Sequence, residues 1–406
     1  MSSLISLAGM FVLLLLAIAL SEHRKALNYR TIIGAFILQI AFGCLVLYLP
    51  WGIAILKSVS ETVSHVISFA QDGITFMFGD AGNMKLGFIF AFNVLPVVVF
   101  FSSLVAVAYH LGIMGWIIRV IGGALQRLLQ TSRTESLSAT ANIFVGHTEA
   151  PMVVKPFIPT MTRSELFAVM TGGMATVAGS VLAGYAGLGV NLEYLIAASF
   201  MAAPGGFLMA KIIVPETSEP EKNIDDIADQ NTHYTNVFDA AAVGASSGLK
   251  MAANIGAMLI AFVSLIALVN GIFASTGQLL GFESLTLQGI LGIVFQPVAF
   301  LLGVPWEETR VAGSLIGQKL VLNEFVAFID FANYSDTLSQ STQAIVTFAL
   351  CGFANFGSLA VLLGGISTLA PNRRTDVANM GLKAVMAGFL ANMMSAAIAG
   401  FFFGLG

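Results

Sequence analysis

Two glutamates mark where this chain could do chemistry. Glu149 closes the segment Ala139-Thr-Ala-Asn-Ile-Phe-Val-Gly-His-Thr-Glu149, and Glu324 sits in Asn323-Glu324-Phe325; both are surrounded by apolar and small residues. Glu149 is followed 32 residues later by Val181, within Gly-Met-Ala-Thr-Val-Ala-Gly-Ser-Val. Glu324 is followed 31 residues later by Asn355, within Gly-Phe-Ala-Asn-Phe-Gly-Ser-Leu. An ionised carboxylate accepts hydrogen bonds, while an Asn amide both donates and accepts, so these positions can bind a polar ligand. The sequence has no HExxH, GxSxG or paired-Asp motif to carry hydrolysis, and no P-loop for primary ATP drive. The expectation is a protein that binds and moves something and is not an enzyme.

The elements that must hold these residues follow from composition. Of 406 residues, 57% are apolar and 10% charged, where soluble domains carry roughly 45–50% and about 25%. That excludes a cytosolic enzyme. A net charge of −4 with 18 scattered Lys and Arg gives no basic face for nucleic acid. Cys44 and Cys351 lie in separate apolar runs without metal-ligand or CxxC spacing. A polytopic membrane protein remains, with about 20 apolar residues per span.

The run Leu4 to Leu20 lacks a basic leader and a small-residue cleavage site, so it reads as a retained helix. The basic connector Ser21 to Arg30 is cytoplasmic by the positive-inside rule, which places both termini outside the cytoplasm. Spans follow at Thr31 to Leu49 and Phe88 to His110, separated by a stretch from Pro50 to Gly79 patterned as an interfacial helix. Around Glu149 the apolar flanks are too short to cross twice, and a re-entrant hairpin fits, because irregular backbone at membrane depth survives only where it lines a cavity. Leu166 to Leu188 and Leu192 to Val214 come next, then an acidic loop, 215–236, carrying Glu216, Glu219, Glu221, Asp225, Asp226 and Asp229. The second half repeats the plan: a long span from Val237 to Phe273, a mixed segment with Glu324, and spans Ala344 to Leu369 and Val377 to Phe403. With this topology the first hairpin enters from inside and the second from outside. Broken helices at matching places in two inverted halves point to a midplane site in a secondary transporter.

Three segments carry a specific resemblance: Ala141 to Pro151, Asn323-Glu324-Phe325-Val326-Ala327, and Cys351-Gly352-Phe353-Ala354-Asn355-Phe356-Gly357-Ser358. They resemble the signature motifs of the bacterial branch of the concentrative nucleoside transporters, over nearly the whole chain. The resemblance implies an all-α polytopic membrane protein with eight transmembrane helices, two opposed re-entrant hairpins, inverted repeats and helices broken at the midplane. It implies sodium-driven import of a nucleoside such as uridine, elevator-type alternating access, a homotrimer set in membrane lipid, and a bacterial inner membrane location. Proton coupling is the alternative. Scaffold helices and an interfacial helix would occupy 1–130, the first transport repeat 131–214, the cytoplasmic acidic loop 215–236, a long scaffold helix 237–280 and the second transport repeat 281–406.

Carried over residue by residue, the resemblance sets the nucleobase against Gly146, His147, Thr148, Glu149 and Val181. It sets the ribose against Glu324, Asn355 and Ser358, with Phe353 close by. The sodium ion would take the side chains of Asn142 and Thr176 and the carbonyls of Val145 and Val177, hard oxygen ligands that suit a hard cation. His147 departs from the family's usual Gln; a neutral imidazole, like an amide, can both donate and accept.

Overall fold

The computed structural model describes residues 2–220, 234–279 and 285–405. Among the described residues all regular structure is helical. In chain order the α-helices are α1 Ser2–Ala19, α2 Tyr29–Leu47, α3 Pro50–Ser68, α4 Ala70–Phe78, α5 Phe90–Asn93, α6 Leu95–His110, α7 Ile113–Leu129, α8 Arg133–Ala141, α9 Arg163–Ala175 and α10 Gly179–Gly187. They continue as α11 Leu192–Ile213, α12 Val237–Leu279, α13 Leu287–Leu301, α14 Thr309–Val321, α15 Glu324–Tyr334, α16 Gln340–Leu350, α17 Phe356–Leu369 and α18 Arg374–Phe403. Of the expected acidic loop, Glu221, Asp225, Asp226 and Asp229 lie outside the described residues.

Local sequence accounts for several boundaries. The patterns Ser132-x-x-Glu135 and Thr162-x-x-Glu165 form complete capping boxes at the starts of α8 and α9, each satisfying two backbone donors that helix geometry leaves free. Asn28 caps α2 by accepting from the amides of Arg30 and Thr31. α7 stops at Gln130, whose φ of 53° is left-handed.

Eight helical stretches among the described residues are long and apolar enough to cross a membrane. Seven coincide with expected spans; the eighth expected span is interrupted at its expected polar break around Asn355. The predicted span 344–369 is divided into α16 and α17, of 11 and 14 residues, while 50–81, expected to lie in the interface, reaches spanning length across α3 and α4. α3 buries Gly52, Leu56 and Ser60 and leaves Ile55 and Val59 exposed. The apolar stripe expected there is thus exposed at Ile55 and Val59, while Val63 and Ile67 further along pack against the core.

Burial separates the elements. In the apolar windows of 163–187 and 192–213, 94% of residues are buried, against 11% in α12. α6 and α12 pack along each other, whereas α1 packs on α18 and α2 on α11, with no comparable contact to α6 or α12. By packing, α1 and α2 lie with the later helices rather than along the α6–α12 pair. The reason is steric. Close approaches such as Gly43 of α2 to Ile398 and Met201 seat α2 on α18 and α11.

One ion cluster, centred on a glutamate outside the spans, ties that group together. Glu22, in the α1–α2 connector, pairs bidentately with Arg163 at the start of α9 (3.0 and 3.2 Å) and with Lys383 of α18 (2.7 Å). The Arg163 guanidinium foremost, assisted by Lys383, holds the Glu22 carboxyl down at about 2 against an ordinary 4.5. A carboxyl with a depressed folded value lends stability above its ordinary value and loses it as pH falls through the folded one. The melting temperature difference between the wild type and Glu22→Gln is therefore expected to stay constant from about pH 5.5 to 8, and to shrink below about pH 4.5. Its size should be no more than a few degrees, since partly exposed pairs contribute roughly 0.2–1 kcal/mol each. A difference that widened on acidification would refute the clamp.

Candidate functional site

Four short irregular pieces meet in the buried centre: the turn 142–149 after α8, the break 176–178 between α9 and α10, the link 322–323 between α14 and α15, and the break 351–355 between α16 and α17. Asparagines build two of them. Asn323 caps α15 by accepting from the Val326 amide (2.9 Å), and Asn355 caps α17 by accepting from the Ser358 amide (2.7 Å). At the first break Thr176 turns extended, and Gly179 starts α10 by donating to the Phe144 carbonyl at 2.9 Å. A Cβ at Gly179 would stand 2.9 Å from that same oxygen, so glycine is what lets the turn and the break touch. The break 351–355 is tied to the first by the Phe353 amide, which donates to the Thr176 carbonyl at 3.1 Å.

Glu324 is buried at the centre of the second half. Its Oε1 accepts from the Tyr185 hydroxyl (3.1 Å) and its Oε2 from Asn355 Nδ2 (2.8 Å). Asn355 thereby uses both ends of its amide, one on Glu324 and one on its own helix cap. Ser358 lies one turn further on, half-buried. The structure thus brings Glu324, Asn355 and Ser358 together, with Phe353 two residues before Asn355.

In the first half, Glu149 folds back on its own turn. Its Oε2 accepts from the Gly146 amide at 3.3 Å, and the Glu149 and Ala150 amides return to the Gly146 carbonyl. His147 is buried, meets the Phe353 ring edge to face at 4.8 Å between centroids, and has neither ring nitrogen hydrogen-bonded. The His147–Phe353 contact joins the expected base and ribose regions. Val181 is buried in the first turn of α10, and Thr148 approaches α17 near Gly365. The two glutamates themselves are not joined: among the described residues no hydrogen bond links Glu149 to Glu324. Glu149 instead faces a cavity of about 500 Å³ between the 142–149 turn and the α6–α12 pair, lined also by Tyr109, Phe144, Lys155, Ser180 and Tyr234. That volume falls within the roughly 300–1,000 Å³ of small-molecule pockets.

The expected sodium ligands fall on two adjoining pieces, the 142–149 turn and the 176–178 break. Asn142 is fully buried at the end of α8, and neither Oδ1 nor Nδ2 has a hydrogen-bond partner. Its Nδ2 lies beside Gly172, whose carbonyl also accepts from Thr176 Oγ1 at 2.8 Å. Among the described residues neither the Val145 nor the Val177 carbonyl accepts a hydrogen bond. Buried amides are nearly always satisfied, so an unpaired Asn142 beside free carbonyls has the donor chemistry of a small hard cation site. No cluster of three His, Cys, Asp or Glu competes with it among the described residues.

Sequence reading missed Tyr185. Its only signal is its place four residues after Val181, one helical turn away on the same face of α10. What it meets, Glu324, is 139 residues distant in sequence.

Helices of spanning length around a buried polar junction define a membrane transport protein, and comparison with known proteins says which kind. Residues 194–400 match the model of the Na+ dependent nucleoside transporter C-terminus, residues 8–81 that of its N-terminus, and residues 91–191 a nucleoside recognition gate. The chain is 49% identical to the nucleoside permease NupC of Helicobacter pylori, covering 100% of this chain and 99% of that one. It is 37% identical to the mouse sodium/nucleoside cotransporter 1, over 98% of this chain and 63% of the relative. The solved structure of CNTnw in an inward-facing substrate-bound state superposes with a TM-score of 0.96 at 55% identity, covering 100% of this chain and 99% of that one. The chain belongs to the concentrative nucleoside transporter family; it is a transporter and not an enzyme.

Proposed function

We propose that this protein imports nucleosides such as uridine by symport with sodium ions. The observation that carries the reading is the junction itself: a carboxylate–amide pair at Glu324 and Asn355, suited to ribose hydroxyls, joined by the Phe353 amide to the break that carries Thr176. Glu149, His147, Gly146, Thr148 and Val181 would take the base; Asn142, Thr176 and the Val145 and Val177 carbonyls would take sodium. The relatives' names and the family's description support the cation and the substrate. Opening and closing would be by elevator motion, with the α6–α12 pair as the fixed frame of a homotrimer and the group containing α1, α2, α9, α11 and α18 moving against it. The cavity beside Glu149 lies on that boundary, as a passage formed between moving parts would. In this reading the tips 142–149 and 322–323 are re-entrant hairpins in inverted repeats. The chain sits in a bacterial inner membrane, surrounded by lipid, with both termini outside the cytoplasm.

The test is thermodynamic. Cosubstrates that share one binding-competent state must raise each other's affinity by the same factor. Uridine affinity measured in sodium chloride and in choline chloride, and sodium affinity measured with and without uridine, are expected to change by one common factor, roughly 5–150-fold. Curves identical in the two salts, with affinity following pH instead, would replace sodium by the proton.

A further inference from the structure

Behind the proposed site lies a buried charge that the substrate contacts leave unused. Lys319 of α14 is fully buried; its ammonium donates to the Ala349 carbonyl and to Asn392 Oδ1, both at 2.6 Å, and lies 5.8 Å from the centre of the Phe389 ring. Asn392 of α18 donates through Nδ2 to the carbonyls of Ala175 (2.7 Å) and Cys351 (3.0 Å). Ala175 is the last residue of α9, and Ala349 and Cys351 flank the end of α16. Carbonyls at helix C-termini lack intrahelical partners and carry the negative end of the helix dipole, so a fixed cation there is favoured.

The donor set leaves the Asn392 amide one orientation. An ammonium only donates and carbonyls only accept, so Oδ1 must face Lys319 and Nδ2 must face the two helix ends. Gly352 clears the space for this: a Cβ there would collide with the Asn392 amide and stand 2.7 Å from the Ala175 carbonyl. A buried lysine is costly unless its donors are satisfied, and here the partners are the two interrupted helices themselves.

We propose that Lys319 and Asn392 form a joint that couples the two broken helices from behind, beside the direct Phe353–Thr176 hydrogen bond, with Lys319 acting as a positioning residue that sets the amide and Asn392 fastening one break to the other. Ala175 precedes Thr176, on the expected sodium side, while Cys351 precedes Phe353 and Asn355, on the expected ribose side. The joint therefore links the two halves of the site through a contiguous hydrogen-bonded network. This rests on the placement of nucleoside and sodium proposed above.

Hydrogen exchange on the purified full-length protein tests it, with uridine and sodium added separately. In the wild type, uridine alone is expected to slow exchange of the amides in 351–358 and, through the joint, of those in 175–177. Asn392→Leu and Lys319→Met should keep the first effect and lose the second by roughly tenfold, within the usual range of coupling factors. Asn392→Ser, smaller and still polar, answers the same question should the leucine variant fail to fold. Spread to 175–177 that persists in these variants, or that is missing in the wild type, overturns the joint. Sodium alone should protect 142–145 and 175–177. If sodium protects nothing while the uridine effect behaves as stated, the sodium assignment fails and the joint stands.

Discussion

Glu324→Gln is expected to weaken uridine binding by roughly 10–100-fold, the loss of about 1.5–3 kcal/mol that accompanies removal of a hydrogen bond to a charged group. Each carboxylate oxygen of Glu324 already accepts one hydrogen bond, from Tyr185 or from Asn355, and each retains a further lone pair for a ribose hydroxyl. In the glutamine variant the amide oxygen must face Asn355 Nδ2, which can only donate, and the NH₂ is left toward Tyr185, whose hydroxyl can accept. One acceptor face is thereby turned into a donor. Titration calorimetry with uridine and with its 2′- and 3′-deoxy analogues separates this from general damage: the variant should discriminate less between uridine and an analogue that lacks the hydroxyl in question. Unchanged uridine affinity in a folded variant would remove Glu324 from the site, and Glu149→Gln, subjected to the same titration, asks the same of the first half.

What the sequence made legible was whatever short-range chemistry encodes. The breaks at Thr176 and Asn355 were visible because small and polar residues interrupt apolar runs; the helix starts at Ser132 and Thr162 carry capping patterns four residues long, a local signal that the reading of spans did not use. Relations between distant segments were not legible. Hydropathy says that α1 and α2 are apolar but not which helices they lie on, so their packing against α18 and α11 came only from the structure. Tyr185 meets Glu324 across 139 residues, and Asn392 reaches Ala175 across 217. Both are lone polar groups in spanning helices, a signal that marks a residue for attention without naming its partner. The second arm of the first turn was also more irregular than a plain hairpin: residues Ala150–Phe157 form a 3₁₀ stretch in place of an α-helix, as Pro151 and Pro156 remove the amide donors that an α-helical ladder there would use.

Asn142→Ala is expected to leave the ion-free protein at least as stable as the wild type while abolishing its stabilisation by sodium. A fully buried amide with no partner for either end is a burden on the fold, costing on the order of 1–3 kcal/mol per unsatisfied group. A purely structural asparagine would behave in the opposite way, since it would be hydrogen-bonded and its removal would destabilise the protein in every salt. Ligand that binds only the folded state adds stability as the logarithm of its concentration over Kd, about 2.7 kcal/mol at 100 Kd. Melting curves recorded across a sodium series at constant ionic strength, with choline as the replacement ion, should therefore rise for the wild type and stay flat for Asn142→Ala. The uridine affinity of the variant should equal that of the wild type in choline, because only the linkage has been cut. A variant that melts lower in choline yet still responds to sodium as the wild type does would show that Asn142 serves the fold and that the cation binds elsewhere.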